Sequence, residues 1–381
     1  MQIYTVGGAV RDDLMGLPVQ DRDYVVVGAT PAEMLALGFK PVGKDFPVFL
    51  HPQTHAEYAL ARTERKSGHG YHGFAFDAAR EVTLGEDLGR RDLTINAIAR
   101  AADGTLIDPF NGVADIAARV LRHVGPAFVE DPVRLLRVAR FAARFADFTV
   151  APETVALMRE MVASGEIDHL VAERVWQEFA RGLMEAKPSR MLDVLRECGA
   201  LARLLSEVDD GENLCCALDL AARRGLALPV RFAVLLRDPE PQTGEETMRR
   251  VKRVNAACAR LKAPADCRDL ALLVARHGGA ICRSAELGAA RLTELLEASD
   301  ALRRPQRFAS MLEVCACTGH AARGEADAIA EIFTPALAAL RAVDAAAIAR
   351  ACGDAVQIAE RVHAARVAAI EAALALGEED Q

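Results

Sequence analysis

The chain has 381 residues, of which 51% are hydrophobic and 26% are charged, and its formal net charge is −8. This composition is typical of a globular chain with two or more domains and excludes a disordered one. No run of about 18 apolar residues occurs and no basic leader precedes the first strand pattern, so neither a membrane span nor a signal peptide is expected. Because the net charge is negative, any nucleic acid must bind at a local basic patch.

The predicted strands all fall within about the first 125 residues, separated by Gly, Pro and Asp. They are Ile3–Val6, Tyr24–Val27, Val48–Leu50, Glu57–Ala61, Leu106–Ile107 and Val120–Val124. Helices are predicted between them at Val10–Met15, Pro31–Leu37 and Leu93–Arg100. Beyond Pro132, apolar residues recur every three or four positions, which predicts helices almost throughout. The predicted fold class is therefore α+β, with a mixed α/β head followed by an all-α remainder.

The nine cysteines all follow residue 197. An odd number of cysteines without a signal peptide favours reduced thiols and a cytoplasmic location. Cys315 and Cys317 have a spacing that metal-binding pairs use, but no second pair with partner spacing accompanies them. We therefore interpret the cysteines as small apolar side chains that pack inside helices.

The first segment with chemical character is Gly7-Gly8-Ala9-Val10-Arg11, between the first predicted strand and helix. Glycines let the backbone approach a ligand, and the N–H groups at a helix start favour a phosphate. Arg11 lies in the first turn, where its guanidinium would add donors. A tight turn without a ligand explains this segment equally well when it is considered alone.

Asp21 and Asp23 lie at the start of the second predicted strand. Side chains two residues apart on a strand point to the same face, and two converging carboxylates repel each other unless a cation lies between them. Mg²⁺ accepts one or two carboxylates together with phosphate oxygens. A charged turn before a buried strand is the alternative, and the preceding Gly-Gly turn favours the metal site.

Arg90 and Arg91 precede the predicted helix Leu93–Arg100, where two positive charges oppose the helix dipole unless an anion lies nearby. Asp92 is the expected N-cap of that helix. Upstream, residues 62–73 contain three glycines and two histidines, which predicts a mobile loop near the site. We expect those histidines to contact phosphate or nothing rather than to bind a metal.

The helix predicted after Asp131 carries a stripe of arginines on one face. Asp131 is its expected N-cap, and Pro132 is its expected first residue. The arginines are spaced by three or four positions with no acid between them, at Arg134, Arg137, Arg140 and Arg144. Solvated helix faces usually mix Glu with Arg, so this stripe favours a polyanionic partner.

Four patterns in this order carry a resemblance to one family. They are Gly-Gly-x-x-Arg, Asp-x-Asp, Arg-Arg-Asp-x-x-x-Asn and Glu-Asp-x-x-Arg, at residues 7–11, 21–23, 90–96 and 130–134. From Met1 to about Ala143 the chain resembles the bacterial class II tRNA nucleotidyltransferases, the CCA-adding enzymes, whose close relatives are the poly(A) polymerases. Residues 268–271 and 304–307 resemble the family more weakly.

The resemblance implies a nucleotidyltransferase head at 1–124, a helical neck at 125–200 that selects the nucleotide and binds tRNA, a helical body at 201–320 and a helical tail at 321–381. It also implies template-independent addition of C, C and A to the tRNA 3′ end from CTP and ATP, with Mg²⁺ as cofactor. Poly(A) addition, CC-only or A-only addition, and non-catalytic tRNA binding are the alternatives. The oligomeric state is left open.

The same resemblance assigns expected roles to the residues that hold phosphate and metal. Gly8 and Arg11 are expected to bind the triphosphate. Asp21 and Asp23 are the expected catalytic residues and would hold Mg²⁺. Further contacts to the nucleotide are expected from Arg91, Arg137 and Arg140.

For the sugar and the base, the resemblance points to Asp92 and Asn96, and to the pair Asp131 and Arg134. Cytosine and adenine both present an amine donor next to a ring-nitrogen acceptor on their Watson–Crick edges. A carboxylate accepts from the amine and a guanidinium donates to the ring nitrogen. Uracil and guanine present a carbonyl instead of the amine, so one such pair would admit C and A and reject U and G.

Enterobacterial-type members of the family carry a metal-dependent His-Asp phosphohydrolase domain in the body. Residues 230–238 resemble its signature, but Arg237 stands where a histidine is needed, and Asn213 occupies the place of an upstream ligand. Between residues 201 and 320 the only histidines are His277 and His320. A site without its nitrogen ligands binds transition metals poorly, so we predict a degenerate domain without hydrolase activity.

Overall fold

The computed structural model describes residues 1–42, 48–66, 74–77, 80–208, 212–237, 244–318 and 325–379. The chain divides into two compact units, Met1–Ser206 and Glu207–Gln381. The first contains all the strands found in the described residues, and the second is helical. The finer division into head, neck, body and tail stays a prediction.

The sheet of the first unit lies at the amino-terminal end of the chain. The strands are β1 Gln2–Val6, β2 Asp23–Val27, β3 Lys40–Val42, β4 Val48–Leu50, β5 Glu57–Leu60, β6 Thr63–Lys66, β7 Phe74–Asp77, β8 Ala99–Arg100, β9 Leu106–Ile107, β10 Val120–Leu121 and β11 Thr149–Val150. Seven of them form one sheet in the order β3-β4-β5-β2-β1-β8-β9. In this sheet β1 runs antiparallel to β2 and pairs Val6 with Asp23, while β2 runs parallel to β5.

All six predicted strands are confirmed, although the last is three residues shorter than predicted. The prediction that strands stop near residue 125 is wrong, because β11 pairs in parallel with β10. A two-residue strand is too short to show the alternation by which strands are recognised. The loop predicted at residues 62–73 begins with β6, and its histidines, His69 and His72, lie outside the described residues.

The predicted helix Leu93–Arg100 is wrong. The segment forms a single 3₁₀ turn, Thr94–Asn96, and then enters β8. Leu93, Ile95, Ala97, Ile98 and Ala99 are all fully buried, so the segment has no solvent face that an amphipathic helix would present. Asp92 is therefore not a helix N-cap, although its carboxylate does accept from the backbone N–H of Leu93.

Nine helices complete the first unit in its described residues. They are α1 Gly8–Leu14, α2 Pro31–Ala36, α3 Leu84–Gly89, α4 Gly112–Ala118, α5 Val133–Arg144, α6 Pro152–Ala163, α7 Ala172–Met184, α8 Ser189–Glu197 and α9 Ala200–Leu204. Two further 3₁₀ turns lie at Pro126–Glu130 and Glu166–His169. The central helix is α5, which packs against α7 and α8 and buries Leu135, Val138 and Ala139 completely. Its start differs by one residue from the prediction, because Pro132 is the N-cap and Asp131 accepts from the N–H of Val133.

The second unit is built from helices, as predicted. They are α10 Glu212–Arg223, α11 Leu228–Leu235, α12 Gly244–Leu261, α13 Ala265–Cys282, α14 Ala289–Ala298, α15 Pro305–Thr318, α16 Glu325–Ala342, α17 Ala345–Ala351 and α18 Ala355–Glu379, with a 3₁₀ turn at Ser284–Glu286. Helix α13 packs against α11, α12 and α15. None of the helices described is long and apolar enough to cross a membrane by itself. One pair of helical segments with a 40° bend between them, Ile329–Ala342 and Ala345–Ala351, has the length and the apolar composition of a membrane span only when the two are counted together.

The prediction that the nine cysteines all pack inside helices is only partly confirmed. Five of them are buried: Cys198, Cys258, Cys267, Cys315 and Cys317. Cys216 and Cys282 are exposed, which contradicts the prediction for those two. Within the described ranges, no group of three His, Cys, Asp or Glu side chains is arranged to hold a metal ion.

Candidate active site

The candidate site is a cavity of about 460 Å³ in the unit Met1–Ser206. It is lined by Gly7, Gly8, Arg11, Asp23, Arg90, Arg91, Asp92, Asn96, Asp131, Arg134, Arg137, Arg140, Phe141, Arg144 and Arg174. Eight arginines thus face three carboxylates, which makes this a strongly positive cavity in a chain of negative net charge. Its volume lies in the range of small-molecule and cofactor sites.

The cavity brings together ten of the eleven predicted site residues. They come from four separate stretches of chain: the start of α1, the start of β2, the segment 90–96 and the region around α5. The exception is Asp21, which is exposed just before β2 and is not part of the cavity wall.

Gly7 and Gly8 connect β1 to α1 directly beside an arginine. Gly7 has a φ of 72°, a left-handed conformation that glycine adopts without strain. A Cβ atom at Gly7 would lie only 2.9 Å from Nη1 of Arg91, so a side chain there would displace this arginine. The close approach of the glycine backbone to a ligand stays a prediction, and the group that lies near Gly7 in the structure is Arg91.

Asp23 stands where β1 ends and the glycine turn begins, because the strand register places it opposite Val6. Desolvation at the cavity wall raises the pKa of Asp23, Arg91 acts in the opposite direction, and the charge of Asp21 raises the pKa further. Asp21 is therefore close enough to Asp23 for the two carboxylates to repel each other. A divalent cation held between them would remove this repulsion, so the pair fits such an ion.

A continuous set of polar contacts runs from α1 to α5. The guanidinium of Arg11 donates to the amide oxygen of Asn96, and the amide nitrogen of Asn96 donates to Asp92 at 3.0 Å. Arg137 donates to the other oxygen of Asp92 at 2.7 Å. Burial opposes ionisation of Asp92, but Arg137, Asn96 and the N–H of Leu93 outweigh it, so the pKa of Asp92 lies well below its usual value. Asp92 is thus a buried carboxylate that stays ionised and holds α5 to the 3₁₀ turn.

The arginines of α5 are not a solvated stripe, because acids from other helices pair with them. Arg140 is 7% exposed, and its Nε atom lies 2.6 Å from the carboxylate of Glu178. Arg137 lies 3.7 Å from the same carboxylate, and Arg144 pairs with Asp12 at 2.9 Å. The absence of acids along α5 itself is thus compensated by tertiary contacts. The protein still provides fewer acids than arginines around the cavity.

Asp131 and Arg134 both line the cavity, and a different part of the chain holds each side chain. Arg174 holds both carboxylate oxygens of Asp131, at 3.1 and 2.7 Å. Arg134 is 6% exposed, and its Nη1 atom donates to the carbonyl oxygen of Ala127 at 2.6 Å. The two side chains expected to read a base are therefore each oriented by another part of the chain.

The sequence did not point to Arg174, which lines the cavity, or to Glu178, which pairs with the cavity residue Arg140. Both lie on α7, where Val175 and Phe179 form the buried side. Glu178 falls within this apolar stripe, and an acidic residue at such a position is a sign of a buried partner. That signal was present in the sequence, but it did not say which arginine is the partner.

Two family models match the chain: "Poly A polymerase head domain" over residues 3–122 and "Probable RNA and SrmB-binding site of polymerase A" over residues 147–211. Among solved structures, a CCA-adding enzyme in its apo form II has a TM-score of 0.72 and 21% identity, covering 97% of this chain and 88% of that one. The CCA-adding enzyme of Thermotoga maritima complexed with tRNA has a TM-score of 0.67 and 21% identity, covering 98% and 91%. These two likenesses support the α+β fold.

Sequence relatives are much closer. The Multifunctional CCA protein of Azoarcus sp. (strain BH72) is 61% identical, over 98% of this chain and 97% of its own length. The protein of the same name from Dechloromonas aromatica (strain RCB) is 59% identical, over 97% of each chain. Identity at this level over the full length leaves no doubt about kinship, and the chain belongs to the bacterial class II CCA-adding enzymes.

Proposed function

We propose that the chain adds C, C and A in turn to the 3′ end of tRNA, using CTP and ATP without a template and releasing pyrophosphate. The observation that carries this proposal is the cavity with eight arginines and Asp23 on its wall, in a chain of this family. The arginine excess suits a triphosphate, which brings several negative charges into one place. CTP, ATP and tRNA occur together in the cytoplasm, where we expect the chain to act.

Enzymes of this family use a divalent metal ion, and we propose Mg²⁺ held by Asp21 and Asp23. The two carboxylates repel each other, and hard oxygen donors of this kind, completed by phosphate oxygens and water, suit this ion. When bound, the ion would stabilise the negative charge on the attacking and leaving oxygens. The protein itself would place the tRNA 3′-hydroxyl in line with the α-phosphorus of the nucleotide.

We propose distinct tasks for the groups that surround the nucleotide. The Gly7-Gly8 turn with Arg11 and Arg91 would hold the triphosphate, and Arg137 and Arg140 would complete the positive wall. Asp92 and Asn96 would support the sugar side, since their mutual hydrogen bond fixes both side chains. These groups are already oriented by protein contacts, so little ordering is needed when a nucleotide binds.

Base selection would fall to Asp131 and Arg134. A carboxylate has about four lone-pair sites, so Asp131 can accept from a base amine while Arg174 still holds it. Arg134 would donate to the ring nitrogen next to that amine. We infer that Arg174 keeps the Asp131 carboxylate in place. U and G would then bring a carbonyl oxygen against this carboxylate, and two acceptors that face each other cannot form a hydrogen bond.

The test of this function uses purified protein, Mg²⁺ and tRNAs that end before C, before the second C, or before A. We expect C to be added to the two tRNAs that lack one or both C residues and A to be added to the tRNA that ends in CC, and we expect addition to stop after A. Repeated addition of A would identify a poly(A) polymerase, and a stop after CC or an inability to add C would identify a partial enzyme. Binding of tRNA without any addition would leave only a tRNA-binding protein.

We expect Arg134→Ala to lower discrimination against UTP and GTP. The variant loses the donor that faces the ring nitrogen, and one hydrogen-bonded pair accounts for about 1–3 kcal/mol, or roughly 5- to 150-fold in selectivity. The measurement is kcat/KM for each of the four nucleotides on the same tRNA. Arg181→Ala, an exposed arginine of α7 outside the cavity, is the matched control. An equal loss for all four nucleotides would show that Arg134 is structural.

We expect no metal-dependent hydrolysis of phosphomonoesters or 2′,3′-cyclic phosphates. Arg237 is 9% exposed where a histidine ligand would be needed, and Asn213 lies exposed. His277 is half-buried, and burial together with Arg276 lowers its pKa. The assay uses p-nitrophenyl phosphate and 2′,3′-cyclic AMP with Ni²⁺ or Mn²⁺. Robust hydrolysis that a chelator abolishes would show that other ligands form a working centre.

A further inference from the structure

Two thiols lie side by side where α13 packs against α15, far along the chain from the nucleotide site. Cys282 is the last residue of α13 and is exposed, whereas Cys315 on α15 is completely buried. The side chain of Cys282 lies close enough to Cys315 to raise the pKa of that thiol. Cys315 also lies 3.8 Å from the carbonyl oxygen of Gly278, one helical turn before Cys282. One sulfur therefore faces solvent, and its neighbour stands directly behind it.

A buried guanidinium accompanies this pair. Nη2 of Arg237 donates to the sulfur of Cys282 at 2.9 Å, while Arg237 as a whole is only 9% exposed. Its Nη1 atom is buried, and no hydrogen-bond partner for it exists among the residues that the structure describes. Arginine does not lose its proton in proteins. A buried positive charge of this kind stabilises an anion beside it, and the sulfur of Cys282 is the group in contact.

The two sulfurs are therefore chemically different. The guanidinium favours the thiolate form of Cys282, and the thiolate is the nucleophilic form of cysteine. The carbonyl groups at the end of α13 act against this, but they are partial charges whereas Arg237 carries a full charge. For Cys315, the Cys282 side chain and burial raise the pKa, and together they outweigh the charge of Arg237, which lowers it. Once the exposed sulfur of Cys282 is oxidised to a sulfenic acid, a second thiol directly beside it can condense with it to a disulfide.

We propose that Cys282 and Cys315 form an oxidation site that reacts with small hydroperoxides such as hydrogen peroxide. The Cys282 thiolate attacks one peroxide oxygen, so that an S–O bond forms, the O–O bond breaks and hydroxide leaves. The sulfur of Cys315 then attacks the sulfur of the sulfenic acid, and the S–O bond breaks. The departing hydroxide takes up the proton that Cys315 loses and leaves as water. Two thiols are oxidised and one peroxide is reduced to two waters, and the disulfide joins the end of α13 to α15.

Other cysteines of the same unit provide internal comparisons. Cys258 and Cys267 interact with each other but are both buried, and burial raises their pKa values to about 11 and about 12. Cys216 is exposed on α10, and no arginine hydrogen bond to it is found within the described residues. The first pair lacks access to solvent, and Cys216 lacks a hydrogen-bonded arginine among the residues that the structure describes.

The experiment treats the full chain with limiting hydrogen peroxide, blocks remaining thiols with iodoacetamide and identifies the peptides by mass spectrometry. We expect one disulfide, between Cys282 and Cys315, with the pair Cys258 and Cys267 unchanged. Before oxidation, Cys282 should react with iodoacetamide about tenfold faster than Cys216. Cys315→Ser should stop the reaction at a sulfenic acid on Cys282, which dimedone traps. Cys216→Ser, the control, should leave disulfide formation unchanged.

Arg237→Gln should slow alkylation of Cys282 by about tenfold, because the charge that stabilises the thiolate is removed. If this variant does not fold, Arg237→Lys, which keeps the charge, serves instead and should retain fast alkylation. A Cys282 that reacts no faster than Cys216, or a disulfide that forms between other cysteines, would overturn the proposal. Alkylation that is insensitive to Arg237→Gln in a folded variant would overturn the role of the guanidinium.

Discussion

Replacement of Asp23 by alanine should lower the rate of nucleotide addition by about 10³-fold and leave tRNA binding nearly unchanged. Asp23 is the acid that lines the arginine-rich cavity at the end of β1, and Asp21 lies close enough to raise its pKa. Without one of these carboxylates, the proposed Mg²⁺ site loses half of its protein ligands. Affinity for RNA depends on basic side chains, so it should not fall. Asp21→Ala should have the same effect.

The measurement pairs single-turnover addition of CTP with a tRNA binding assay on the same preparations. Asp13→Ala is the matched control, since Asp13 is an acid of α1 that pairs with Arg100 outside the cavity. The control should retain full activity. If Asp21→Ala or Asp23→Ala remains within about tenfold of the parent, the metal site lies elsewhere. If tRNA binding is lost in step with the rate, the acids support the fold instead.

The sequence predicts the site well where its residues lie at the ends of local elements. Gly8, Arg11 and Asp23 follow or open strands that the alternation of apolar residues already reveals, and the register of β1 with β2 then brings them together. For the same reason the segment around Asp131 is recognised from its helix start. Local pattern decides where such residues lie, so one sequence suffices.

The sequence does not reveal the contacts between distant segments. Asp131 and Arg174 are 43 positions apart, and no local rule pairs them. The stripe on α5 suggested repelling charges because its acids, Glu178 among them, come from another helix. The error over residues 93–100 has a similar cause, since apolar residues that are buried on every side carry no periodicity that separates a helix from a turn and a strand.

Replacement of Glu178 by alanine should destabilise the unit Met1–Ser206 by about 3–5 kcal/mol. Glu178 is 6% exposed and accepts from Arg140 at 2.6 Å, while the next acid near Arg140, Glu185, lies 3.8 Å away. Removing this carboxylate leaves a buried guanidinium without its close partner, and an unpaired buried charge costs far more than a surface pair contributes. Chemical denaturation followed by the fluorescence of Trp176, two residues away on α7, measures the effect.

Two further variants separate charge from packing at this position. Gln177→Ala, an exposed neighbour on the same helix, should change the free energy of unfolding by no more than about 0.5 kcal/mol. Glu178→Gln keeps the size and one acceptor oxygen but removes the charge, so its loss should be intermediate if the ion pair matters. If Glu178→Gln is as stable as the parent, the carboxylate contributes only a hydrogen bond. In that case α7 supports the cavity through hydrogen bonds to Arg140 and through Arg174, which holds Asp131, and the charge of Glu178 is not needed.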